Sequence, residues 1–192
     1  MEPQKNYPTI YEPSFVFFWG MALAGGLLAG GSLLFALIAL MILVLHSHEY
    51  AHAKKAISLN VAVQKVVFTW LGGAIICDSK SPQDTIKICN AGLIDTFLWW
   101  ISFMALRMIV YQVGAITGWN FADSSPLGLL YWMRMLNGII LFTAIAVISN
   151  MLPIEYNHKT HGLITTDGWA NIVLSRVDPQ KETRAQPVNM SP

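Results

Sequence analysis

Long runs of apolar residues, separated by short polar stretches, make up most of this chain. Four runs are long enough to cross the ~30 Å hydrocarbon core of a bilayer as helices. They cover residues 14–31, 32–57, 85–113 and 126–152. A tight turn at Gly30-Gly31-Ser32 is expected between the first two, because Gly and Ser clusters are typical of turns. The pattern predicts an all-α membrane protein with about four transmembrane helices.

Residues 61–78 follow a different pattern. They hold two short runs of β-branched, aromatic and small apolar residues on either side of Gly72-Gly73. Such runs around a glycine pair predict a small β-hairpin, which we place at the membrane surface. Residues 178–192 are polar, include three prolines and are predicted to form a disordered cytoplasmic tail. We expect residues 1–177 to form a single domain.

Composition supports an integral, multi-pass membrane protein. Hydrophobic residues make up 54% of the chain and charged residues 12%, against about 25% charged residues in a soluble domain. The net charge of +1 gives no reason to expect a nucleic-acid partner. Lys54 and Lys55 follow the second apolar run and mark its cytoplasmic end, because cytoplasmic flanks are rich in Lys and Arg. Four spans then place both termini in the cytoplasm.

The motif His48-Glu49-Tyr50-Ala51-His52 stands at the end of the second apolar run. On a helix, His48 and His52 lie on one face, about one turn apart. Two neutral imidazoles at this spacing can hold Zn²⁺, and Glu49 can accept a proton from water there. Ionisable residues inside a membrane span are costly and are usually functional. The motif therefore predicts a zinc site near the cytoplasmic face.

Two further motifs follow in order along the chain. The fourth apolar run ends in Asn150-Met151-Leu152-Pro153, and Thr166-Asp167-Gly168 comes after a loop. With the H-E-x-x-H motif, Leu71-Gly72-Gly73 and Ala91-Gly92, this arrangement resembles the site-2 protease family of intramembrane zinc metalloproteases. The likeness is strongest to the compact branch that includes the sporulation-factor processing proteases. Asp167 follows Asn150 after a longer loop than in many members.

The resemblance implies a site and an activity. It implies that His48, His52 and Asp167 bind Zn²⁺, that Glu49 is the general base, and that Asn150 hydrogen-bonds the scissile carbonyl or its oxyanion. The implied protein is a zinc-dependent endopeptidase that cleaves a transmembrane segment of a membrane protein substrate near the cytoplasmic face. Its partners would be that substrate and the lipid bilayer. The alternative is a non-catalytic zinc-binding membrane protein of the same fold that acts as a scaffold.

Other roles stay open for several of these residues. Asp167 could instead cap a short helix that begins at Gly168. Asp95, near the cytoplasmic start of the third run, is a rival third ligand. Asn150 could cap its helix or hydrogen-bond a neighbouring helix. The remaining histidines, interpreted as packing or solvated residues, are His46, His158 and His161.

Overall fold

The computed structural model describes residues 7–69, 72–79, 81–119, 128–152, 155–158, 162–165 and 167–168. Its elements, in chain order, are β1 (Thr9–Tyr11), α1 (Pro13–Ser58), β2 (Val63–Thr69), β3 (Gly72–Cys77), α2 (Pro82–Thr117), α3 (Leu129–Met151), β4 (Glu155–His158) and β5 (Gly162–Thr165). The predicted tail at 178–192 and His161 lie outside the described residues.

Helix α1 consists of two apolar segments, Pro13–Leu28 and Leu34–Ser58. These segments lie side by side, as the distance of 5.9 Å between the ring centroids of Phe15 and His46 shows. A straight helix would separate those residues by about 46 Å. The chain therefore reverses direction between the segments. Gly26 permits the close approach, since a Cβ at that position would come within 2.9 Å of Ile38 Cδ1.

Helices α2 and α3 form the rest of the bundle. Proline at the first position and Asp84 in the first turn favour the start of α2. Gly118, with a φ of 67°, ends it in the left-handed conformation. The start of α3 lies against the end of α2 at Gly114, where any side chain would overlap Leu129. The core between the three helices is formed by Val44, Phe103, Leu136 and Ile139.

A three-stranded sheet lies against the end of the bundle where α1 finishes and α2 begins. Its strand order is β1-β2-β3, with β1 parallel and β3 antiparallel to β2. Strand β2 is the most buried of the three and packs on α1. This lower core is formed by Phe15, Ala53, Ala56, Val63, Val66, Phe68 and Ile88.

The predicted β-hairpin is present, but the strands of the protein differ from the prediction in three respects. Gly72 and Gly73 pair with Thr69 and Phe68, so the glycine pair begins β3 and does not form the turn itself. Strand β1 was not predicted, because its three residues lie in a polar, proline-containing segment. The stretch 154–165, interpreted as a loop, contains the antiparallel strands β4 and β5.

The predicted fold class, a mostly α-helical membrane protein, is confirmed. Three helices of the described chain are long and apolar enough to cross a membrane, namely Leu34–Ser58, Pro82–Thr117 and Leu129–Met151. Pro13–Leu28 is a shorter apolar helix beside them. Both ends of α1, the start of α2 and the end of α3 lie at one end of the bundle, which gathers the polar motifs there.

We expect Phe68→Ala to lower the free energy of unfolding by about 3 kcal/mol or more, because a buried aromatic ring leaves a cavity. Phe68 is fully buried and stacks on His46 with ring centroids 4.2 Å apart. Phe17→Ala is the matched control, since Phe17 is 72% exposed. Thermal denaturation midpoints in detergent measure both. Equal midpoints for the two variants would contradict this packing.

Candidate metal centre

Two buried histidines face each other at the end of α1. His48 and His52 are one helical turn apart, and their Nε2 atoms are separated by 3.0 Å. Their rings are perpendicular, with centroids 4.5 Å apart. Both side chains are less than a tenth exposed. The helical spacing predicted from the motif therefore places two ring nitrogens at one point inside the bundle.

The opposite nitrogens of these rings are held by α2. Nδ1 of His52 donates to the carbonyl of Ile88 at 2.7 Å. Nδ1 of His48 donates to the carbonyl of Gly92 at 3.0 Å and lies 2.8 Å from the Thr96 hydroxyl. Thr96 in turn donates to the Gly92 carbonyl. Because carbonyls only accept, each Nδ1 carries the proton and each Nε2 presents a lone pair.

This arrangement is unfavourable without a cation. Two lone pairs that face each other at 3.0 Å repel, and the apolar surroundings provide little screening. A metal ion bound by both Nε2 atoms would remove that repulsion. Hydrogen bonds from the far nitrogen to backbone carbonyls are also the usual way in which metal-binding histidines are oriented.

Asp167 completes a group of three possible ligands. Its carboxylate oxygens lie 3.4 Å from His52 Nε2 and 3.6 Å from His48 Nε2. The three ligand atoms all lie within 4.8 Å of one another. Tetrahedral zinc, with bonds of about 2.0–2.1 Å, spaces its ligand atoms about 3.3 Å apart. Burial raises the pKa of Asp167 to about 8. A bound cation would oppose this effect and favour the charged carboxylate.

Glycines allow the neighbouring elements to reach this cluster. A Cβ at Gly92 would overlap the His52 ring and come within 2.8 Å of His48 Cε1. At Gly73, on β3, a Cβ would overlap the side chain of Glu49 and lie 2.7 Å from its Oε1. The backbones of α2 and β3 therefore lie against the histidines and against Glu49.

Glu49 lies beside the three possible ligands. Its Oε1 is 3.9 Å from His48 Nε2, and its side chain is 5% exposed. The carboxylate is thus close enough to contact a water molecule that also contacts the three ligands. It is enclosed between α1 and β3.

The other predicted site residues lie at different distances from the cluster. Asn150 is half-buried in the last turn of α3. That turn contacts the chain next to Asp167, because a side chain at Gly168 would overlap the Met151 carbonyl. Asp95 is not part of the group of three and lines a separate pocket with Ser47. His46 stacks on Phe68 and lies 3.1 Å from the Tyr11 hydroxyl, so it is a packing residue.

Thr96 was not singled out from the sequence, and Gly73 and Gly92 were named only as members of motifs. Gly92 and Thr96 hold His48, and Gly73 accommodates Glu49. A small residue and a hydroxyl four positions apart in an apolar helix are a recognisable signal for a helix contact. That spacing at Gly92 and Thr96 could have indicated the face of α2 that meets the motif.

Comparison with known proteins gives a clear structural likeness. The chain is similar to the solved structure of Site-2 Protease from Methanocaldococcus jannaschii, with a TM-score of 0.57 and 17% sequence identity. The match covers 94% of this chain and 74% of that one. At this identity the likeness shows the fold. No protein-family model and no curated protein sequence matches.

We expect Gly92→Ala to weaken metal binding by at least about 100-fold, since the added methyl group overlaps the ring atoms of both histidines. Gly20→Ala is the matched control, because a Cβ at Gly20 meets nothing within 4 Å. Elemental analysis and chelator competition on detergent-purified protein measure the difference, and circular dichroism checks the fold. A folded Gly92→Ala protein with full metal content would contradict the site.

Proposed function

We propose that this protein is a zinc-dependent intramembrane endopeptidase that cleaves a transmembrane segment of a membrane protein substrate. The observation that carries the proposal is the buried group of His48, His52 and Asp167, with buried Glu49 beside it, at the end of an apolar span. A structural zinc site is normally closed by four protein ligands. A catalytic zinc site has three protein ligands and keeps a fourth position open for water. Three ligands with the Glu49 carboxylate beside them fit that second type.

His48, His52 and Asp167 would hold the zinc ion through two imidazole nitrogens and one carboxylate oxygen. Such a donor set is typical of catalytic zinc. When bound, zinc activates water near neutral pH and polarises a carbonyl group. The carbonyls of Ile88 and Gly92 keep the two rings in the tautomer that zinc requires.

Glu49 is the general base in this proposal. Its carboxylate accepts a proton from the attacking water and later donates it to the nitrogen of the leaving amine. The enclosed position of Glu49 between α1 and β3 supports this role, because bulk water does not compete for the carboxylate. The base is thereby kept beside the scissile bond throughout the reaction.

Asn150 is proposed to bind the carbonyl of the scissile bond. Its amide N–H can donate a hydrogen bond to the oxygen on which negative charge develops. The support is the position of Asn150 in the last turn of α3, next to Met151, whose carbonyl contacts Gly168. The residue that follows Asp167 therefore connects the two motifs.

A transmembrane substrate must unwind before cleavage, because a helix hides its carbonyls in hydrogen bonds. Strand β3 is an outer strand of the sheet and lies against Glu49. An extended substrate segment could pair with its edge by strand addition. We therefore expect substrates with weak helix formers near the cleaved bond.

The proposal also includes an orientation in the membrane. Lys54 and Lys55 near the end of α1 support a site on the cytoplasmic side by the positive-inside rule. Both termini would then be cytoplasmic, with residues 1–177 as one protease domain and 178–192 as its tail. We also propose, from the order of the motifs, a likeness to the compact, sporulation-factor processing branch of the family.

The main test compares the wild type with Glu49→Gln and Asp167→Asn. The substrate probe is a labelled single-span peptide with a glycine-containing segment, reconstituted with the protein in liposomes. We expect about one zinc ion per wild-type chain. Glu49→Gln should keep the metal and lose about 100-fold or more in cleavage rate, whereas Asp167→Asn should lose both.

Asp84→Asn is the matched control for Asp167→Asn, since Asp84 is partly exposed and pairs with Lys87. It should keep both zinc and activity. Cleavage by Glu49→Gln at the wild-type rate would overturn the assigned base. A wild type that binds zinc but cuts no peptide would favour the non-catalytic scaffold.

Gly73→Ala tests the role of Glu49 independently of metal binding. The three atoms nearest to the new methyl group all belong to Glu49, so we expect normal zinc content with a cleavage rate at least about 10-fold lower. Gly25→Ala, where a Cβ meets nothing within 4 Å, should match the wild type in both respects. Loss of zinc in Gly73→Ala would show that β3 supports the ligands as well.

A further inference from the structure

A second polar pocket lies where the last segment of α1 meets α2. Its volume is about 250 Å³, and its lining consists of Ser47, Asp95, Leu98, Trp99 and Ser102. The four α2 residues recur at helical spacing and form one stripe of that helix. Two hydroxyl groups and a carboxyl group therefore face one pocket within a span that is otherwise apolar.

The carboxyl group of Asp95 is incompletely satisfied. Its Oδ2 atom is buried and has no hydrogen-bond partner in the part of the chain that the structure describes. A buried polar atom without a partner costs free energy, and carboxyl groups inside a membrane span usually serve a function. The pocket thus offers a hydrogen-bond acceptor that lacks a donor.

The depth of Asp95 limits what can reach it. It is the only charged residue between Lys87 and Arg107, a stretch of helix about 30 Å long that matches the hydrocarbon core. Asp95 lies about 12 Å from the Lys87 end of that stretch. Lipid headgroups stay at the surface, so the donors within reach at this depth are water in the pocket and side chains of other transmembrane helices.

The pocket lies at the same depth as the metal centre but on a different face of the helices. Ser47 precedes His48 on α1, and Asp95 precedes Thr96, whose hydroxyl contacts His48. Asp95 itself does not belong to the ligand group. A helix held at this pocket would therefore have its middle turns level with Glu49 and the metal.

We propose that this pocket is a docking site for a substrate transmembrane helix that carries an amide side chain, Asn or Gln, at the depth of the metal. This assignment rests on the proposed protease function. An amide group both donates and accepts hydrogen bonds, so it can pair with the Asp95 carboxyl and with the Ser47 and Ser102 hydroxyls. Docking would occur before the helix unwinds and enters the active site.

The test measures binding without cleavage. Glu49→Gln protein is reconstituted in liposomes with a fluorescent Leu-Ala helix that has one Asn at the depth of Asp95, and energy transfer reports binding. We expect the Asn helix to bind about threefold more tightly than the same helix with Leu, the typical effect of one hydrogen bond between membrane helices. Asp95→Leu should abolish that difference, whereas Asp84→Leu, outside the apolar stretch, should keep it.

Asp95→Asn is the control for misfolding of Asp95→Leu. It keeps the shape and hydrogen-bonding capacity of the side chain, so it should retain the preference for the Asn helix. Equal binding of the two helices to the protein with intact Asp95, or a preference that survives Asp95→Leu, would overturn the proposal. So would loss of self-association in Asp95→Leu, measured between two labelled copies, without an effect on the Asn helix. Preference for the Asn helix in a protein whose wild type cuts nothing would still support docking and would reject only the protease function.

Discussion

The rest of the site depends on the orientation of two imidazole rings inside an apolar span. The carbonyls of Ile88 and Gly92 take the Nδ1 protons of His52 and His48, which leaves two Nε2 lone pairs 3.0 Å apart. In a medium of low dielectric constant the two lone pairs repel each other strongly, and a bound cation or a shared proton would relieve this repulsion. The packing of α2 on α1 therefore defines the chemistry that the centre can support.

The small sheet links the fold to the carboxylate of Glu49. Residues 66–69 of β2 are buried on both faces, and Phe68 packs on His46 and pairs with Gly73 of β3. Gly73 then lies against Glu49. The same sheet that closes the lower core thus encloses the side chain next to the metal ligands, so packing and reactivity are coupled through one glycine.

Asp167, the third possible ligand, lies far along the chain from the end of α3 and yet close to it in space. Between the end of α3 and Asp167 the chain forms the hairpin of β4 and β5, which accounts for the long separation between the Asn150 and Asp167 motifs. Gly168 then contacts the Met151 carbonyl so closely that a side chain would overlap it. This contact returns Asp167 to the bundle, although the intervening segment is longer than the resemblance led us to expect.

The helical class and the pairing of His48 with His52 follow from the sequence alone, because hydrophobic runs and a spacing of four residues are local properties of a helix. The motif also indicated Glu49 as their neighbour. The sequence left Asp167 and Asp95 as competing ligands, gave no signal for β1, and suggested a turn at Gly72-Gly73. These points required the folded structure, since they depend on which face of α2 meets α1 and on strand pairing between distant segments. Asp95 and Thr96 are adjacent in sequence, yet helical rotation directs one to a separate pocket and the other to the metal centre.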